Sequence, residues 1–259
     1  MSQLFRIMSF NIRYASANDG ANNWEKRASA VVEVIQKSRA SIILVQEALN
    51  FQLDYIQQHL GGWSRLGVGR DDGCGAGEHC AILYHHHEWQ WKENNTFWLS
   101  DTPHQPGSRS WNTALPRICT WAKMHHVQHD RDLYVFNTHL DHKSTAARKN
   151  AAKLIRHHIE NVSAEFPVVL CGDFNESLRG EAVRELCYDD FLRSAWATVY
   201  PQIKKPGTFH DFVGVKNGLV IDHILINQQI DVRNCEIDGA RYQNRYPSDH
   251  FPIIIEFAF

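Results

Sequence analysis

Hydrophobic residues recur along the chain in short runs of strand length, with polar segments between them. Continuous or alternating apolar runs of this length are typical of β-strands with one or both faces buried. They predict eight strands, at residues 5–10, 41–45, 80–84, 118–124, 133–138, 168–171, 219–226 and 251–257. Because these runs continue to the last residues, core-forming segments are predicted along the whole chain.

Four segments between these runs carry apolar residues at the spacing of an amphipathic helix. They lie at residues 24–38, 51–60, 144–159 and 180–187. Asn22 is expected to cap the first helix, with Glu25 three residues later, and Gly61 is expected to end the second. At least eight strands with only three or four helices favour a sheet-rich α/β sandwich over a βα barrel.

Nothing in the 259 residues marks an internal boundary. The chain contains no internal repeat, low-complexity tract or Pro/Ser-rich linker. Strands are predicted directly on either side of the loop-like segments at residues 67–77 and 101–110. We therefore predict one domain over residues 1–259, and its composition, 43% hydrophobic and 22% charged, is that of a folded protein.

Charge and apolar run length limit the classes of partner. The net charge of −2 argues against tight, non-specific DNA binding, although not against a local basic cleft. No apolar run approaches the roughly 18–20 residues that span a bilayer, so no stable membrane insertion is expected. The first residues lack the pattern of a signal peptide, which predicts a cytoplasmic protein, and no obligatory protein partner is inferred. The six cysteines are scattered without a Cys-x-x-Cys pair and are expected to be reduced.

Polar side chains that chemistry requires stand at the ends of the predicted strands. They are Asn11, Glu47, His139, Asp141, Asp173, Asn175, Asp249 and His250. Ligand sites of sheet proteins form at strand ends, where loops from several strands converge. A single Asp or Asn after a strand is most often a turn former. Five such strand ends together indicate a functional site.

The residue types at these positions suit the hydrolysis of a phosphoester. Glu47, Asp249 and Asn11 offer the oxygen ligands that Mg²⁺ or Mn²⁺ prefers. Asp173 could orient and deprotonate a water, with Asn175 two positions later pointing the same way in an extended segment. Both His250 and His139 could donate to phosphate oxygens as negative charge develops.

Seven short motifs occur in an order and at a spacing that resemble the endonuclease/exonuclease/phosphatase superfamily, the group with the DNase I-like fold. They lie at residues 8–13 (MSFNIR), 46–47 (QE), 116–118 (PRI), 137–141 (NTHLD), 172–175 (GDFN), 221–224 (IDHI) and 248–252 (SDHFP). The resemblance implies a four-layer α/β sandwich, in which two mixed β-sheets pack face to face between helices.

The same resemblance implies roles for nine residues. Asn11 and Glu47 would bind the metal, with Asp249 beside them, and the metal would be Mg²⁺ or Mn²⁺. Asp173 would activate or orient the water, and Asn175 would contact phosphate and water. His250 would bind phosphate or transfer a proton, with Asp222 orienting it. His139 and Arg117 match positions that reach toward the phosphate in some members. Whether one metal or two are bound is left open, since Asp173 and Asn175 could hold a second.

The residues around Asp222 support its implied role. Asp222 lies inside the apolar run at residues 219–226, where a carboxylate costs several kcal/mol unless it is paired. His250 is the expected partner. His223 would face the opposite side of the strand and is expected to be structural.

The substrate is less constrained than the reaction. Residues 9–14 (SFNIRY) depart from the pattern of the abasic-site endonucleases, which argues against that activity. We expect a phosphodiesterase or nuclease acting on nucleic acid or nucleotides. The alternative is a phosphatase acting on a small phosphorylated metabolite or a lipid headgroup. A non-catalytic binding module on the same fold is a third hypothesis, and it predicts gaps among the site residues that this sequence does not have.

Overall fold

A computed structural model of the chain describes residues 3–163, 165–215 and 217–259. The strands are β1 (Phe5–Asn11), β2 (Ile42–Ala48), β3 (Trp63–Leu66), β4 (His79–His85), β5 (Trp89–Trp98), β6 (Ile118–His126), β7 (Arg131–His139), β8 (Val168–Asp173), β9 (Arg193–Ser194), β10 (Asp222–Ile226), β11 (Asp231–Ile237) and β12 (Ile253–Ala258). The helices are α1 (Trp24–Ser38), α2 (Asn50–Leu60), α3 (Thr145–Ser163), α4 (Glu181–Leu186) and α5 (Ala195–Val199), with 3-10 turns at Gly20–Asn22 and Tyr188–Asp190. Among these helices, none is both long and apolar enough to cross a membrane.

The strands form two mixed sheets of six strands each. The first sheet has the order β11-β12-β1-β2-β4-β3, and the second has the order β5-β6-β7-β8-β10-β9. In each sheet one central pair is parallel, β1 with β2 and β7 with β8, while the other pairs are antiparallel. The two sheets therefore share one arrangement, with a parallel pair at the centre and antiparallel pairs on both sides.

The apolar side chains divide into the layers of a sandwich. Leu44 and Ile255 of the first sheet pack with Val135 and Val169 of the second in one buried cluster between the sheets. Helices α1 and α2 cover the outer face of the first sheet, and α3 and α4 cover the outer face of the second. This arrangement confirms the four-layer α/β sandwich implied by the sequence motifs.

The eight strands predicted from the apolar runs are present, with shifted ends. The run at residues 219–226 forms a strand only from Asp222 onward. Four strands were missed: β3, β5, β9 and β11, and each lies at an edge of its sheet. In β5, the side chains from Gln90 to Asn95 are exposed, so the apolar pattern that marks an interior strand is absent.

The predicted helices are also present, with one correction at the start of α1. Asn23, not Asn22, occupies the N-cap position, because Asn22 belongs to the preceding 3-10 turn, and neither makes a side-chain capping bond. Helix α2 ends at Gly61 as expected, with a φ of 60° that suits glycine.

A register shift between Val45 and Ala48 interrupts the pairing of β2 with β4. Within the shift, Glu47 adopts a φ of 61°, a left-handed conformation that costs a non-glycine residue about 1–3 kcal/mol. Asn137 of β7 reaches this bulge from the opposite sheet. Its Nδ2 donates to the carbonyls of Val45 (2.8 Å) and Ala81 (2.9 Å), and its Oδ1 accepts from Gln46 Nε2 (2.7 Å). The bulge is therefore held in shape by hydrogen bonds across the core.

His223 is a second buried polar residue with a defined environment. Its Nδ1 faces Lys205 Nζ at 3.3 Å, and its Nε2 lies 2.8 Å from the carbonyl oxygen of Glu176. Burial, together with the positive charge of Lys205, lowers the pKa of His223 from 6.5 to about 3. The folded protein consequently holds this imidazole in its neutral form, and the expected structural character of His223 agrees with these contacts.

We predict that Asn137→Ala lowers the free energy of unfolding by about 2–4 kcal/mol, because three buried hydrogen bonds across the core are lost. Urea denaturation measures the effect. Asn94→Ala, at an exposed position of β5, is the control and should change the free energy by less than about 0.5 kcal/mol. Equal losses in the two variants would show that the bridge across the core does not stabilise the fold.

We also predict an acid-dependent loss of stability that depends on His223. The unfolded chain takes up a proton near pH 6.5, whereas the folded chain takes it up only near pH 3. The stabilisation that the neutral His223 ring gives to the fold is thus complete above pH 6.5, and it is lost as the pH falls from 6.5 through 3. When the pH falls from 7 to 5, the free energy of unfolding of the wild type should fall by about 2 kcal/mol more than that of His223→Gln. Urea denaturation of both proteins at both pH values measures the difference. His87→Gln, at an exposed position, should leave the pH dependence unchanged.

Candidate active site

A cavity of about 510 Å³ opens where β1, β2, β7 and β8 end and β10 begins. It is lined by Arg13, Tyr14, Glu47, Glu78, Leu115, Arg117, His139, His142, Asp173, Asn175, Phe209, Leu219, Ile221, Asp249 and His250. Seven of the nine residues assigned to a site from the sequence belong to this lining. The other two, Asn11 and Asp222, lie directly behind it and contact lining residues. The structure therefore brings the whole predicted set together.

Asn11, at the end of β1, lies between two carboxylates. Its Nδ2 donates to Glu47 Oε1 (2.9 Å) and to Asp173 Oδ2 (3.1 Å), while its Oδ1 accepts from the backbone N–H of Arg13 (3.0 Å). The backbone N–H of Tyr14 donates to the second oxygen of Glu47 at 3.2 Å. As a metal ligand, Asn11 would have to turn its oxygen toward the carboxylates and give up the contact with Arg13. In the observed arrangement it holds Glu47 and Asp173 together.

Asp222 and His250 form the hydrogen bond expected from the sequence. Strand β10 pairs with β8 so that Asp222 lies opposite Asp173, and Asp222 Oδ2 accepts from His250 Nδ1 at 2.8 Å. The bond leaves His250 Nε2 facing Asp173 Oδ2 at 3.8 Å. Burial alone would lower the pKa of His250, but the carboxylates of Asp222, Asp249 and Asp173 raise it well above its usual value. An imidazolium at this position donates from both nitrogens.

Two other buried carboxylates carry a penalty in the absence of a cation. Burial, reinforced by the negative charge of Asp222, raises the pKa of Asp173. Burial also raises the pKa of Asp249, and the charge of Glu47 adds to this effect. Carboxylates whose charge is disfavoured in this way are stabilised by any cation that binds between them.

Asp249 is placed by contacts between the end of β1 and the loop before β12. Ser248 Oγ donates to the carbonyl of Asn11 at 2.7 Å, and Arg13 Nε lies 3.6 Å from Asp249 Oδ2. The buried guanidinium of Arg27 donates to the carbonyls of Pro247 (3.0 Å) and Arg13 (2.7 Å). These bonds fix Asp249 relative to Asn11, although the two residues are far apart in sequence.

His139 acts as a hydrogen-bond acceptor in this arrangement. The side-chain amide of Asn175 donates to His139 Nε2 (3.0 Å) and to the carbonyl of Leu140 (3.0 Å). Burial, together with the charges of Arg117 and Arg70, lowers the pKa of His139 well below its usual value. The ring is therefore neutral with its proton on Nδ1. Its expected donation to a phosphate oxygen from Nε2 would require Asn175 to release that atom.

Arg117 is buried at the side of the cavity with unused donors. Its Nη2 faces His142 Nδ1 at 3.0 Å, and its Nε lies 3.8 Å from Asp141 Oδ1. Among the described residues, neither Nε nor Nη1 of Arg117 has a hydrogen-bond partner. Asp141 itself shapes the following loop, since it accepts from the backbone N–H groups of Lys143 (3.0 Å) and Ser144 (2.7 Å).

The donor atoms at the cavity fit a hard divalent cation. One donor atom each from Glu47, Asp173 and His250 lie within 4.8 Å of one another. The raised pKa of His250 keeps Nε2 protonated and unavailable to a metal, so the oxygens of Glu47 and Asp173, with Asp249 nearby, would hold the ion. Oxygen ligands of this kind suit Mg²⁺ or Mn²⁺. Glu47 and Asp249 were expected from the sequence to be metal ligands. Asp173, which the sequence assigned to the attacking water, lies close enough to join them.

Three charged residues near the site were not among those assigned from the sequence. Arg13 faces Asp249, while Arg70 forms a two-pronged ion pair with Glu78, both N–O distances being 2.7 Å. The pair lies behind His139, whose Nδ1 is 3.9 Å from Glu78 Oε2. The sequence did contain a signal for the ion pair of Arg70 and Glu78. These two residues stand on either side of a glycine-rich segment, where charged pairs often close a loop.

Several solved structures share this fold along their whole length. An endonuclease/exonuclease/phosphatase from Bacteroides vulgatus is 32% identical to this chain, with 99% of each chain covered and a TM-score of 0.93. Another from Bacteroides thetaiotaomicron is 29% identical over 100% of this chain and 99% of its own, with a TM-score of 0.92. A mannosyl-6-phosphatase from Bacteroides thetaiotaomicron is 30% identical over 98% of this chain and 100% of its own, with a TM-score of 0.91.

A family model described as "Endonuclease/Exonuclease/phosphatase family" matches residues 8–250. The match begins just before Asn11 and ends at His250, so it contains every residue assigned to the site. Because it covers far more than half of the sequence, this chain belongs to the endonuclease/exonuclease/phosphatase family, whose members hydrolyse phosphoesters.

Proposed function

We propose that this protein is a divalent-metal-dependent phosphatase that removes phosphate from a small phosphorylated molecule, with sugar phosphates as the first candidates. The observation that carries the proposal is the position of Asp173 in the cavity, next to Glu47 and opposite the hydrogen-bonded pair of Asp222 and His250. This arrangement supplies a base for water, a donor for phosphate and oxygen ligands for a cation.

Each side chain then has a defined task in the reaction. Asp173, held by Asn11 and facing His250, orients the attacking water and takes its proton. His250 Nε2–H donates to a non-bridging phosphate oxygen as negative charge develops, while Asp222 keeps the imidazolium oriented. A bound divalent cation would neutralise phosphate charge and stabilise the leaving oxygen.

The surroundings of Arg117 favour a phosphate monoester. A monoester has three terminal oxygens and up to two negative charges, whereas a diester has two such oxygens and one charge. Arg117 lines the cavity, and its positive charge suits the additional charged oxygen. The net charge of −2 and the cavity of about 510 Å³ also suit a small ligand better than a nucleic-acid strand.

Similarity supports the same choice. One relative that is 30% identical along its whole length is a mannosyl-6-phosphatase. The sequence alone favoured nucleic acid or nucleotide diesters, with a small-molecule phosphatase as the alternative. The cavity and this relative together favour the alternative.

We predict that the protein hydrolyses phosphate monoesters with Mg²⁺ or Mn²⁺ and that EDTA abolishes the activity reversibly, because the buried carboxylates would lose their counter-ion. Asp173→Asn should lower kcat by about 10²- to 10⁴-fold, the usual contribution of a general base. Phosphate release from a panel of sugar phosphates, p-nitrophenyl phosphate and bis-p-nitrophenyl phosphate measures both effects.

The matched control for Asp173→Asn is Asp130→Asn, which removes a charge from an exposed position. Full activity in EDTA, or an Asp173→Asn variant as active as the control, would contradict a metal-dependent hydrolase with this base. Faster turnover of the diesters than of every monoester would instead support the phosphodiesterase hypothesis.

We predict that Arg117→Gln discriminates between the two kinds of ester. It should lower kcat/KM for a monoester by about 10- to 100-fold, since a hydrogen bond to a charged oxygen contributes about 1.5–3 kcal/mol. Its effect on residual diester hydrolysis should be several-fold smaller. Arg131→Gln, at an exposed position of β7, is the control. Equal losses for the two esters would mean that Arg117 does not recognise the additional charge.

A further inference from the structure

Lys205 is a buried cation in the loop between α5 and β10. Its side chain is only 6% exposed, and among the described residues it takes part in no ion pair with a carboxylate. Burial lowers the pKa of Lys205 to about 8. A buried ammonium group without a partner carboxylate costs several kcal/mol, so its hydrogen bonds have to offset that cost.

The hydrogen bonds of Lys205 lead to the strand that carries Asp222. Its Nζ donates to the backbone carbonyl of Asp222 at 2.6 Å and lies 3.3 Å from His223 Nδ1. An ammonium group can only donate, so His223 Nδ1 has to accept. Because the ring is neutral, its proton is on Nε2, which donates to the carbonyl of Glu176 at 2.8 Å. Lys205 and the Glu176 carbonyl thus favour the same tautomer of His223, and Lys205 supplies the donor to its Nδ1.

The far end of this chain of bonds is the turn after β8. Glu176 directly follows Asn175, whose φ of 51° places it in the left-handed region. The Glu176 side chain anchors the same turn, because it accepts from the backbone N–H of Val183 (2.9 Å) and pairs with Arg148 Nε (3.1 Å). Asp173 and Asn175 therefore stand on a segment whose backbone is tied to His223.

We propose that Lys205 is a positioning residue for this active site, and this inference rests on the proposed hydrolase function. Its ammonium group connects the backbone at Asp222, which orients His250, with the turn that carries Asp173 and Asn175. Lys205 is not part of the cavity lining, so it acts through these neighbours and does not touch the substrate.

Lys205→Met tests the proposal, because methionine keeps the length and apolar stem of lysine and removes the donor. We expect kcat to fall by about tenfold or more with KM within about twofold, since the substrate contacts remain while the reacting groups lose their alignment. Lys204→Met, at the adjacent exposed position, should keep wild-type kinetics.

Spectra of ¹⁵N-histidine-labelled protein provide a readout that is independent of activity. In the wild type, the His223 signals should show protonated Nε2 and an unprotonated Nδ1 that accepts a hydrogen bond. In Lys205→Met the Nδ1 signal should shift because it loses this donor, while Nε2 stays protonated against the Glu176 carbonyl. The His223 signals are assigned by their absence from His223→Gln. An Nδ1 signal that is unchanged in Lys205→Met would overturn the inferred link between Lys205 and His223.

A second pair of variants covers the case in which Lys205→Met does not fold. The amide of His223→Gln can accept from Lys205 and donate to the Glu176 carbonyl, whereas His223→Leu can do neither. We expect kcat within about threefold of wild type for Gln and a loss of about tenfold or more for Leu. Wild-type kcat in either Lys205→Met or His223→Leu would overturn the proposal. An inactive wild type across the whole ester panel would instead contradict the proposed function, and the positioning role with it.

Discussion

The hydrogen bonds from Asn137 to the bulge in β2 are the contact on which the geometry of the site depends. They cross the core from one sheet to the other and meet the backbone at Val45 and Ala81, where the strand ladder shifts register. The shift gives Glu47 its left-handed conformation at the strand end. Glu47 belongs to the first sheet and Asp173 to the second. Their separation therefore depends on how the two sheets are held together, and apolar packing alone is not directional enough to define it.

Electrostatic compensation is the second constraint. Four buried carboxylates, Glu47, Asp173, Asp222 and Asp249, lie in or directly behind one cavity. Two of them are matched by a cation, Asp222 by His250 and Asp249 by Arg13. Burial and the negative charge that remains raise the pKa of Asp173 and Asp249, and this surplus of charge makes the cavity suitable for a divalent cation. The same low-polarity surroundings that penalise these charges would strengthen their attraction to a bound divalent cation.

Much of the fold could be predicted from the sequence, and the failures have one cause. The strands found from apolar runs are those in the interior of the sheets, where both neighbours and both faces demand apolar side chains. The four missed strands all lie at sheet edges, and exposed residues such as those from Gln90 to Asn95 carry no such pattern. Edge strands are specified by pairing with a neighbour that is already in place, which is information outside their own sequence.

For the site, the sequence by itself determined the chemical groups and their order along the chain, because strand ends with acids, amides and histidines are visible in the pattern. It also predicted the bond between Asp222 and His250, since a carboxylate in an apolar strand requires a partner. Only the tertiary structure decided that Asn11 donates to the carboxylates, that His139 accepts from Asn175, and that Asn137 and Lys205 support the site from behind. Such contacts join residues distant in sequence, and they depend on strand register and side-chain rotamer, which are set by packing of the whole fold.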